Sequence, residues 1–267
     1  MQTLLSQTQR AKQSFKLLHQ FKPIKSTKYT VRLPENTYDI EQALRLRYKV
    51  FNLELGGGSS TSYKTGLDSD GFDAFCDHLL VVENCTNEIV GTYRIQTFEI
   101  AEQGIGFYSN IEFNMDSLPG SYLRNGIELG RACIASEHRN SRVLFLLWKG
   151  IARYILLKDK RFLFGCCSLN SVNPETGWNL YSFLKEQNYL HTKYLVPVRE
   201  EYQCESKIVA NIEHVDIPIL LKMYLKIGAK ICSPPAIDRE FRTIDYMILL
   251  DVKMLNNETK HLFFNDN

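Results

Sequence analysis

Several common nucleotide-binding and catalytic motifs are missing from this sequence. It has neither the G-x-x-x-x-G-K-[ST] pattern of a P-loop nor a G-x-G-x-x-G fingerprint, so ATP and dinucleotide cofactors are not indicated. It also lacks a G-x-S-x-G elbow, which argues against a serine hydrolase of that kind. The seven cysteines include no C-x-x-C pair, and most lie inside apolar runs. We therefore expect reduced, buried thiols in a cytoplasmic protein.

Long apolar runs and a strong net charge are also missing. No run approaches the roughly 18 apolar residues of a membrane span. The N-terminal region lacks the continuous apolar core, about 7–15 residues long, of a cleavable signal peptide. The formal net charge is only +2, and no basic cluster resembles a recognition helix. We expect a soluble or peripheral protein without a nucleic-acid partner.

Charge is unevenly distributed along the chain. The first 34 residues contain seven Lys and Arg residues but no Asp or Glu. Apolar residues recur there at roughly helical spacing, at Leu4, Ala11, Phe15 and Leu18. We interpret residues 1–27 as a basic N-terminal arm with two open descriptions. It is either an amphipathic helix on the anionic inner face of a membrane or a solvated arm packed on the domain.

The rest of the chain predicts one α/β domain over residues 28–255, followed by a polar tail over 256–267. With 267 residues and 44% hydrophobic content, the chain can bury a full core. Two apolar segments joined by a short polar turn predict an antiparallel hairpin. A strand, a helix and a second strand then predict a parallel pair, so the sheet is mixed. These elements are expected at 78–83 and 89–95 for the hairpin, and at 126–135, 142–158 and 161–168 for the parallel unit.

The strand at 126–135 carries an acid and a base that suit acyl transfer. Glu128 and Arg131 point to opposite faces of an ideal strand, but Gly130 between them often marks a bulge that re-aims its neighbours. A backbone N–H freed by such a bulge can stabilise the oxyanion of a thioester under attack. Glu128 can then accept a proton from an incoming amine. The alternative is a surface Glu and Arg on an edge strand.

The helix that follows predicts a phosphate site at its start. Free N–H groups and the helix dipole favour an anion there, and two arginines lie nearby. The phosphate of a pantetheine arm fits this position, for which the candidate residues are Arg139, Asn140, Ser141 and Arg142. Further along the helix, Lys149 and Arg153 fall on roughly one face. They form either a docking rim for an acidic carrier protein or an ordinary solvated face.

The acidic segment 68–78 superficially resembles a calcium loop. Gly71 is misplaced, however, and the twelfth position is Leu79 rather than Glu, so we predict no metal site. The acids are expected to cap the following strand or to form a pocket that attracts an amino group.

An ordered series of motifs across residues 40–252 resembles the GNAT-like acyltransferases that include bacterial ornithine-lipid N-acyltransferases and proteins called hemolysins. The matching segments are Leu46–Phe51, Asp70–Asp73, Cys76–Val81, Val90–Arg94, Phe107–Ser109, Glu112–Phe113, Glu128–Cys133, Leu147–Ile151, Gly165–Cys166, Tyr224–Cys232, Pro235–Asp238 and Phe241–Asp245. The resemblance implies a GNAT-like α/β fold with a mixed, mostly antiparallel sheet flanked by helices. Acyl-homoserine-lactone synthases are similar more distantly, but the tryptophan expected soon after Phe51 is absent.

The resemblance implies that a 3-hydroxyacyl group moves from the phosphopantetheine of acyl carrier protein to the α-amino group of a free amino acid. Ornithine is the expected acceptor, with glycine as an alternative, and no bound cofactor is expected. The product would be a lyso-amino-acid lipid. Glu128 and Arg131 are the implied catalytic residues, and the implied substrate-binding residues are Arg47, Phe51, Asp70, Asp73 and Arg94.

These side chains have open alternatives. The arginines can bind the acceptor carboxylate or the acyl hydroxyl, or they can be structural partners of the acids. Asp70 and Asp73 can hold the cationic end of the amino acid or orient Arg47 and Arg94. Three rival functions also stay open: lactone synthesis, acetyl transfer from CoA, and a non-enzymatic membrane interaction of the hemolysin kind.

Overall fold

The predicted hairpin forms and lies inside one continuous sheet. The computed structural model describes residue 17 and residues 20–205 and 216–264. The strands are β1 (Ile24–Lys25), β2 (Tyr29–Arg32), β3 (Asp77–Glu83), β4 (Ile89–Thr97), β5 (Gly126–Ile134), β6 (Phe162–Leu169), β7 (Lys230–Ile231), β8 (Ala236–Asp238) and β9 (Thr243–Asp251). They pair in the order β1-β2-β3-β4-β5-β6-β9-β7, and β8 also pairs with β9. Most of the predicted arm over 1–27 lies outside the described residues.

The sheet is antiparallel except for one pair. Strands β5 and β6 run parallel, and α-helix 141–158 connects them, which confirms the predicted β-α-β unit. All other named pairings are antiparallel. The mixed, mostly antiparallel sheet flanked by helices matches the expected fold class.

Helices cover the sheet and connect its strands. The described α-helices are α1 (Thr37–Arg47), α2 (Ser60–Thr65), α3 (Phe98–Gln103), α4 (Gly120–Arg124), α5 (Ser141–Lys158), α6 (Pro174–Glu186), α7 (Ile219–Lys226) and α8 (Asn257–Phe264). Among the described residues, no helix has both the length and the apolar content that crossing a bilayer requires. Helix α8 lies in the predicted polar tail, yet its Phe263 packs 5.9 Å from the ring of Trp148.

Helix α5 packs on the sheet because its apolar residues follow a helical period. Val143, Leu147 and Ile151 are buried at successive turns, and the Asn140 side chain caps the first turn. Gly150 lets this helix approach β3 closely, since a Cβ atom there would lie 2.6 Å from Leu79 Cδ2.

The first helix is capped by Asn36 and changes its winding near its end. The Asn36 side chain accepts a hydrogen bond from the backbone N–H of Asp39. After Arg47 the helix continues as a π-helical segment over Tyr48–Glu54. Such segments occur frequently at functional sites. Ser59 then caps α2, because its side chain accepts a hydrogen bond from the backbone N–H of Ser62.

A glycine governs how closely β5 and β6 approach one another. A Cβ atom at Gly165 would lie 2.2 Å from the backbone oxygen of Leu129, whereas one at Gly130 meets nothing within 4 Å. We expect Gly165→Ala to lower the free energy of unfolding by about 1–3 kcal/mol through overpacking. Gly130→Ala is the matched control and should change it by less than about 1 kcal/mol. Urea denaturation measures both, and equal effects would contradict this explanation.

Candidate active site

The ladder between β5 and β6 is short, and a cavity opens where it ends. Registered pairing stops at Glu128 and Phe164. Residues 129–132 of β5 and 165–168 of β6 then line a cavity of about 240 Å³. Its apolar wall includes Leu163, Tyr224 and Ile248. This space between two diverging parallel strands can take an extended substrate arm.

A bulge in β5 brings Glu128 and Arg131 to the same cavity. Cys133 pairs with Thr92 and Gly130 with Arg94, so two residues of β5 lie opposite one residue of β4. The predicted bulge therefore exists. Its left-handed residue is Arg131, with φ of 50°, rather than the glycine before it. The altered backbone direction places both side chains on the cavity wall.

Glu128 is fixed by two backbone N–H groups. Tyr108 N donates to Oε2 at 2.8 Å, and Ser109 N donates to Oε1 at 2.6 Å. The carboxylate is 4% exposed, and burial raises its pKa although these hydrogen bonds act in the opposite direction. A buried carboxylate with a raised pKa beside a cavity is suited to accept a proton.

Buried aspartates hold the arginines of the site. Asp73 accepts hydrogen bonds from Arg47 at 2.6 and 3.1 Å and from Arg94 at 3.2 Å. Asp68 accepts from Arg47 Nε at 2.7 Å. Burial alone would raise the pKa of Asp73, but the Arg47 and Arg94 guanidinium groups hold that pKa well below its usual range. The acids and arginines form one buried ionic network.

Asp70 connects this network to Arg131. It accepts hydrogen bonds from Arg94 at 2.6 Å and from Arg131 at 3.1 Å. The Arg131 guanidinium carbon also lies 4.0 Å from the centroid of the Phe241 ring and 4.8 Å from that of Tyr108. The guanidinium group is therefore held in one position at the cavity wall.

His78 lies against the network and is neutral. It is 2% exposed, and burial lowers its pKa to about 4. An unfolded histidine binds a proton below a pH of about 6.5. The stability that His78 contributes is therefore complete above that pH and is lost as the pH falls toward 4.

We expect this histidine to make the fold sensitive to acid. Its pKa shift corresponds to about 2 kcal/mol of lost unfolding free energy between pH 7 and pH 5. Urea denaturation at both pH values should show that loss in the wild type and a smaller loss in His78→Gln. An identical pH dependence in the two proteins would contradict the assignment.

The predicted catalytic and substrate-binding residues lie at different depths. Phe51, Arg94 and the pair Glu128 and Arg131 line the cavity. Behind the wall lie residues of the ionic network that do not line it, namely Arg47, Asp70 and Asp73. The geometry thus matches the alternative in which the two aspartates orient the arginines. The substrate contacts themselves stay predictions.

The predicted phosphate site lies at the start of α5, away from the cavity lining. Ser141 is the first residue of the helix, and the Asn140 side chain accepts the N–H groups of Arg142 at 3.1 Å and Val143 at 3.2 Å. Arg139 bonds to the carboxylate of Glu54 and donates to a backbone oxygen. An incoming phosphate would have to compete with the Asn140 cap for these N–H groups, so phosphopantetheine binding here stays a prediction.

The two predicted docking residues have contacts within the chain. The Lys149 ammonium lies 5.6 Å from the centroid of the Phe145 ring. Arg153 donates to the backbone oxygen of Lys22 at 2.6 Å. Their role in binding a carrier protein stays a prediction.

Sequence reasoning missed two features of the site. It did not identify Tyr108 and Ser109 as backbone donors to Glu128, because a backbone contact leaves no trace in residue type. It also did not group three buried acids, Glu112, Asp238 and Asp245, whose oxygens lie within 4.8 Å of one another. The sequence signal that could have indicated these acids is Asp245, which directly precedes the buried apolar run 246–250.

Comparison with known proteins agrees with this architecture. A family model described as acetyltransferase (GNAT) domain matches residues 46–149. An L-ornithine N(alpha)-acyltransferase of Rhizobium meliloti (strain 1021) is 32% identical over 238 residues, covering 83% of this chain and 79% of the relative. The same enzyme of Brucella abortus (strain 2308) is 33% identical over 241 residues, covering 85% of each chain. The chain belongs to the GNAT-type L-ornithine N(alpha)-acyltransferase family.

Membership in this family makes the protein an acyltransferase of the GNAT fold. Among solved structures, the AHL synthase LasI is similar with 14% identity and a TM-score of 0.49. That match covers 90% of this chain and 96% of LasI. For an acyltransferase, the cavity between β5 and β6 with Glu128 on its wall is the candidate active site.

Proposed function

We propose that this protein transfers a 3-hydroxyacyl group from acyl carrier protein to the α-amino group of ornithine. The product would be a lyso-ornithine lipid, the first intermediate of an amino-acid lipid. The names of the family relatives support the acceptor. The observation that best supports acyl transfer is the geometry of Glu128. Its buried carboxylate is fixed by two backbone N–H groups on the wall of a cavity between diverging strands.

In the proposed reaction, the acyl thioester enters between β5 and β6. Glu128 accepts a proton from the α-amine, and the amine nitrogen attacks the thioester carbonyl. Backbone N–H groups at the bulge of β5 stabilise the oxyanion. The C–N bond forms, the C–S bond breaks, and the departing thiolate takes the proton that Glu128 accepted, so that pantetheine thiol leaves and the carboxylate is regenerated.

The guanidinium group of Arg131 is the proposed partner of the acceptor carboxylate. It lies on the cavity wall with Glu128, and its contacts with Asp70 and two aromatic rings fix its direction. A planar guanidinium matches the two oxygens of a carboxylate. Binding there would leave the α-amine facing Glu128, as the reaction requires.

The proposed donor contacts lie outside the cavity. Arg142 is exposed at the start of α5, where it can meet the phosphate of the pantetheine arm. Lys149 and Arg153 of the same helix are the proposed contacts of the acidic carrier protein. The basic N-terminal arm would hold the enzyme at the inner membrane face, where a lipid product is used.

Mass spectrometry of the purified protein tests this function. The protein is incubated with 3-hydroxyacyl carrier protein and a panel of free amino acids. An N-(3-hydroxyacyl) ornithine product is the expected result. Consumption of acetyl-CoA in place of the carrier-bound donor would assign acetyl transfer instead. If neither donor gives a product, a non-enzymatic binding function would be favoured instead.

A further inference from the structure

Three buried carboxylates form an acidic group beside the candidate active site. Glu112, Asp238 and Asp245 are 0%, 5% and 3% exposed. One oxygen of each lies within 4.8 Å of the others. The β8–β9 pairing, with Ala236 opposite Asp245, brings the two aspartates together. Both aspartates line the same cavity as Glu128 and Arg131, and Glu112 lies behind them.

Among the described residues, no Lys, Arg or His side chain forms an ion pair with any of these three acids. Asp238 accepts the N–H groups of Glu240 and Phe241 at 2.8 and 3.0 Å. Neither Glu112 oxygen is reached by an N–H or hydroxyl donor of the described residues, and Asp245 Oδ1 is also without one. No N–H or hydroxyl group of the described residues therefore reaches these three buried oxygens, and the contact left to the Glu112 carboxyl group is the carboxyl group of Asp245.

Three adjacent buried carboxylates cannot all be ionised without a cation. Burial and the neighbouring Asp245 and Asp238 raise the pKa of Glu112 well above its usual range. Burial likewise raises the pKa of Asp245. A protein retains such an arrangement at a cost in stability. A positive charge at this position would remove that cost and supply the missing hydrogen bonds.

We infer that Glu112, Asp238 and Asp245 bind the side-chain ammonium of the acceptor, so that the enzyme selects a diamino acid. This inference rests on the proposed function. An ammonium group carries three N–H donors, which match three carboxylates. With the acceptor carboxylate on Arg131 and its α-amine at Glu128, the side chain would extend along the cavity to Asp238 and Asp245. Acceptors with short neutral side chains, such as glycine, leave the acidic group unpaired.

The test compares ornithine with norvaline, which has the same carbon skeleton without the terminal amine. The measured quantity is the ratio of kcat/KM for ornithine to that for norvaline. Hydrogen bonds to charged groups contribute about 1.5–3 kcal/mol, which corresponds to about 10- to 150-fold. We expect a ratio of that size in the wild type and a fall of about tenfold or more in Glu112→Gln. Asp116→Asn changes an exposed acid of the same segment and should leave the ratio unchanged.

Several outcomes would overturn the inference. A wild-type ratio near one would do so, as would an equal loss with both acceptors in Glu112→Gln. Loss of activity on chelation with recovery on adding Mg²⁺ or Ca²⁺ would assign the acidic group to a metal. If the wild type acylates no amino acid, the proposed function fails. In that case, calorimetric measurement of binding tests the inference separately. Ornithine must still bind more tightly than norvaline to the wild type, and Glu112→Gln must remove that difference.

Discussion

Glu128→Gln is expected to lower kcat by about 10²- to 10⁴-fold, the range that general acid–base catalysis contributes. The amide cannot accept the proton of the attacking amine. It also keeps only one oxygen for the two N–H groups of Tyr108 and Ser109 that the carboxylate satisfies. Product formation with a saturating carrier-bound donor measures the effect. Binding of the acylated carrier protein should change by less than about threefold, since the base acts in the chemical step.

Two further measurements separate a proton-transfer role from a structural one. In the wild type, kcat/KM should fall on the acidic side as Glu128 becomes protonated, and this limb should disappear in the residual activity of Glu128→Gln. Glu128→Asp retains a carboxylate but shortens its reach, so it should keep more activity than the amide. Loss of melting temperature parallel to activity in both variants, with an unchanged pH profile, would contradict the role of base.

Much of the fold was predictable because its strands and helices have strong periodic patterns. The hairpin over 77–97 and the β-α-β unit over 126–169 follow from buried apolar runs separated by turns and by one amphipathic helix. The glycine at 130 also indicated a bulge correctly. The left-handed residue could not be predicted, because arginine rarely takes that conformation and does so here within ionic and aromatic contacts.

The partners of the charged residues were less accessible to sequence reasoning. Arg47 and Asp73 are 26 positions apart, and nothing in their local patterns shows that they bond at 2.6 Å. Long-range pairing depends on how α1 and the segment after α2 pack on β4. The sequence thus indicates that acids and arginines belong to one site, but not which of them face the cavity and which support those that do.

The acidic group shows the same limit. Glu112 lies in an irregular segment, whereas Asp238 and Asp245 lie in a hairpin more than a hundred residues later. Their proximity results from the closing of the sheet by β9 next to β6. In the sequence analysis these segments appear only among those that resemble the acyltransferase family, and no function was predicted for the three acids.

Arg47→Met is expected to lower the free energy of unfolding by about 3–5 kcal/mol, the usual cost of removing one partner from a buried ion pair. Arg47 is 0% exposed and donates to both Asp68 and Asp73. Without it, Asp68 retains only Arg131 at 3.5 Å, and Asp73 retains Arg94 at 3.2 Å. Each carboxylate would be left buried with one cationic partner at a longer distance, although Asp73 would still accept the backbone N–H of Asp70 at 2.9 Å. Urea denaturation measures the loss.

The matched control lies two residues earlier on the same helix. Arg45 pairs with Glu41 at 2.6 Å, but their side chains are 46% and 45% exposed. Arg45→Met should therefore cost no more than about 0.5 kcal/mol, as for other exposed pairs of this spacing. Similar losses in the two variants would mean that burial does not amplify the ionic interaction, which would contradict the account of the network.

A double variant separates two contributions to the loss of stability, namely the lost attraction between Arg47 and Asp73 and the cost of leaving the Asp73 charge buried and underpaired. If Arg47→Met destabilises the fold mainly by leaving Asp73 buried and underpaired, adding Asp73→Asn removes that charge and should recover part of the loss. In the wild-type background Asp73→Asn should be destabilising, because Arg47 and Arg94 then lose the negative charge that they share, and the amide NH2 cannot accept from Arg47 as the second carboxylate oxygen does. Opposite effects of one substitution in the two backgrounds are expected only if the two side chains interact directly. Additive effects would place the stabilising role of Arg47 in its packing instead.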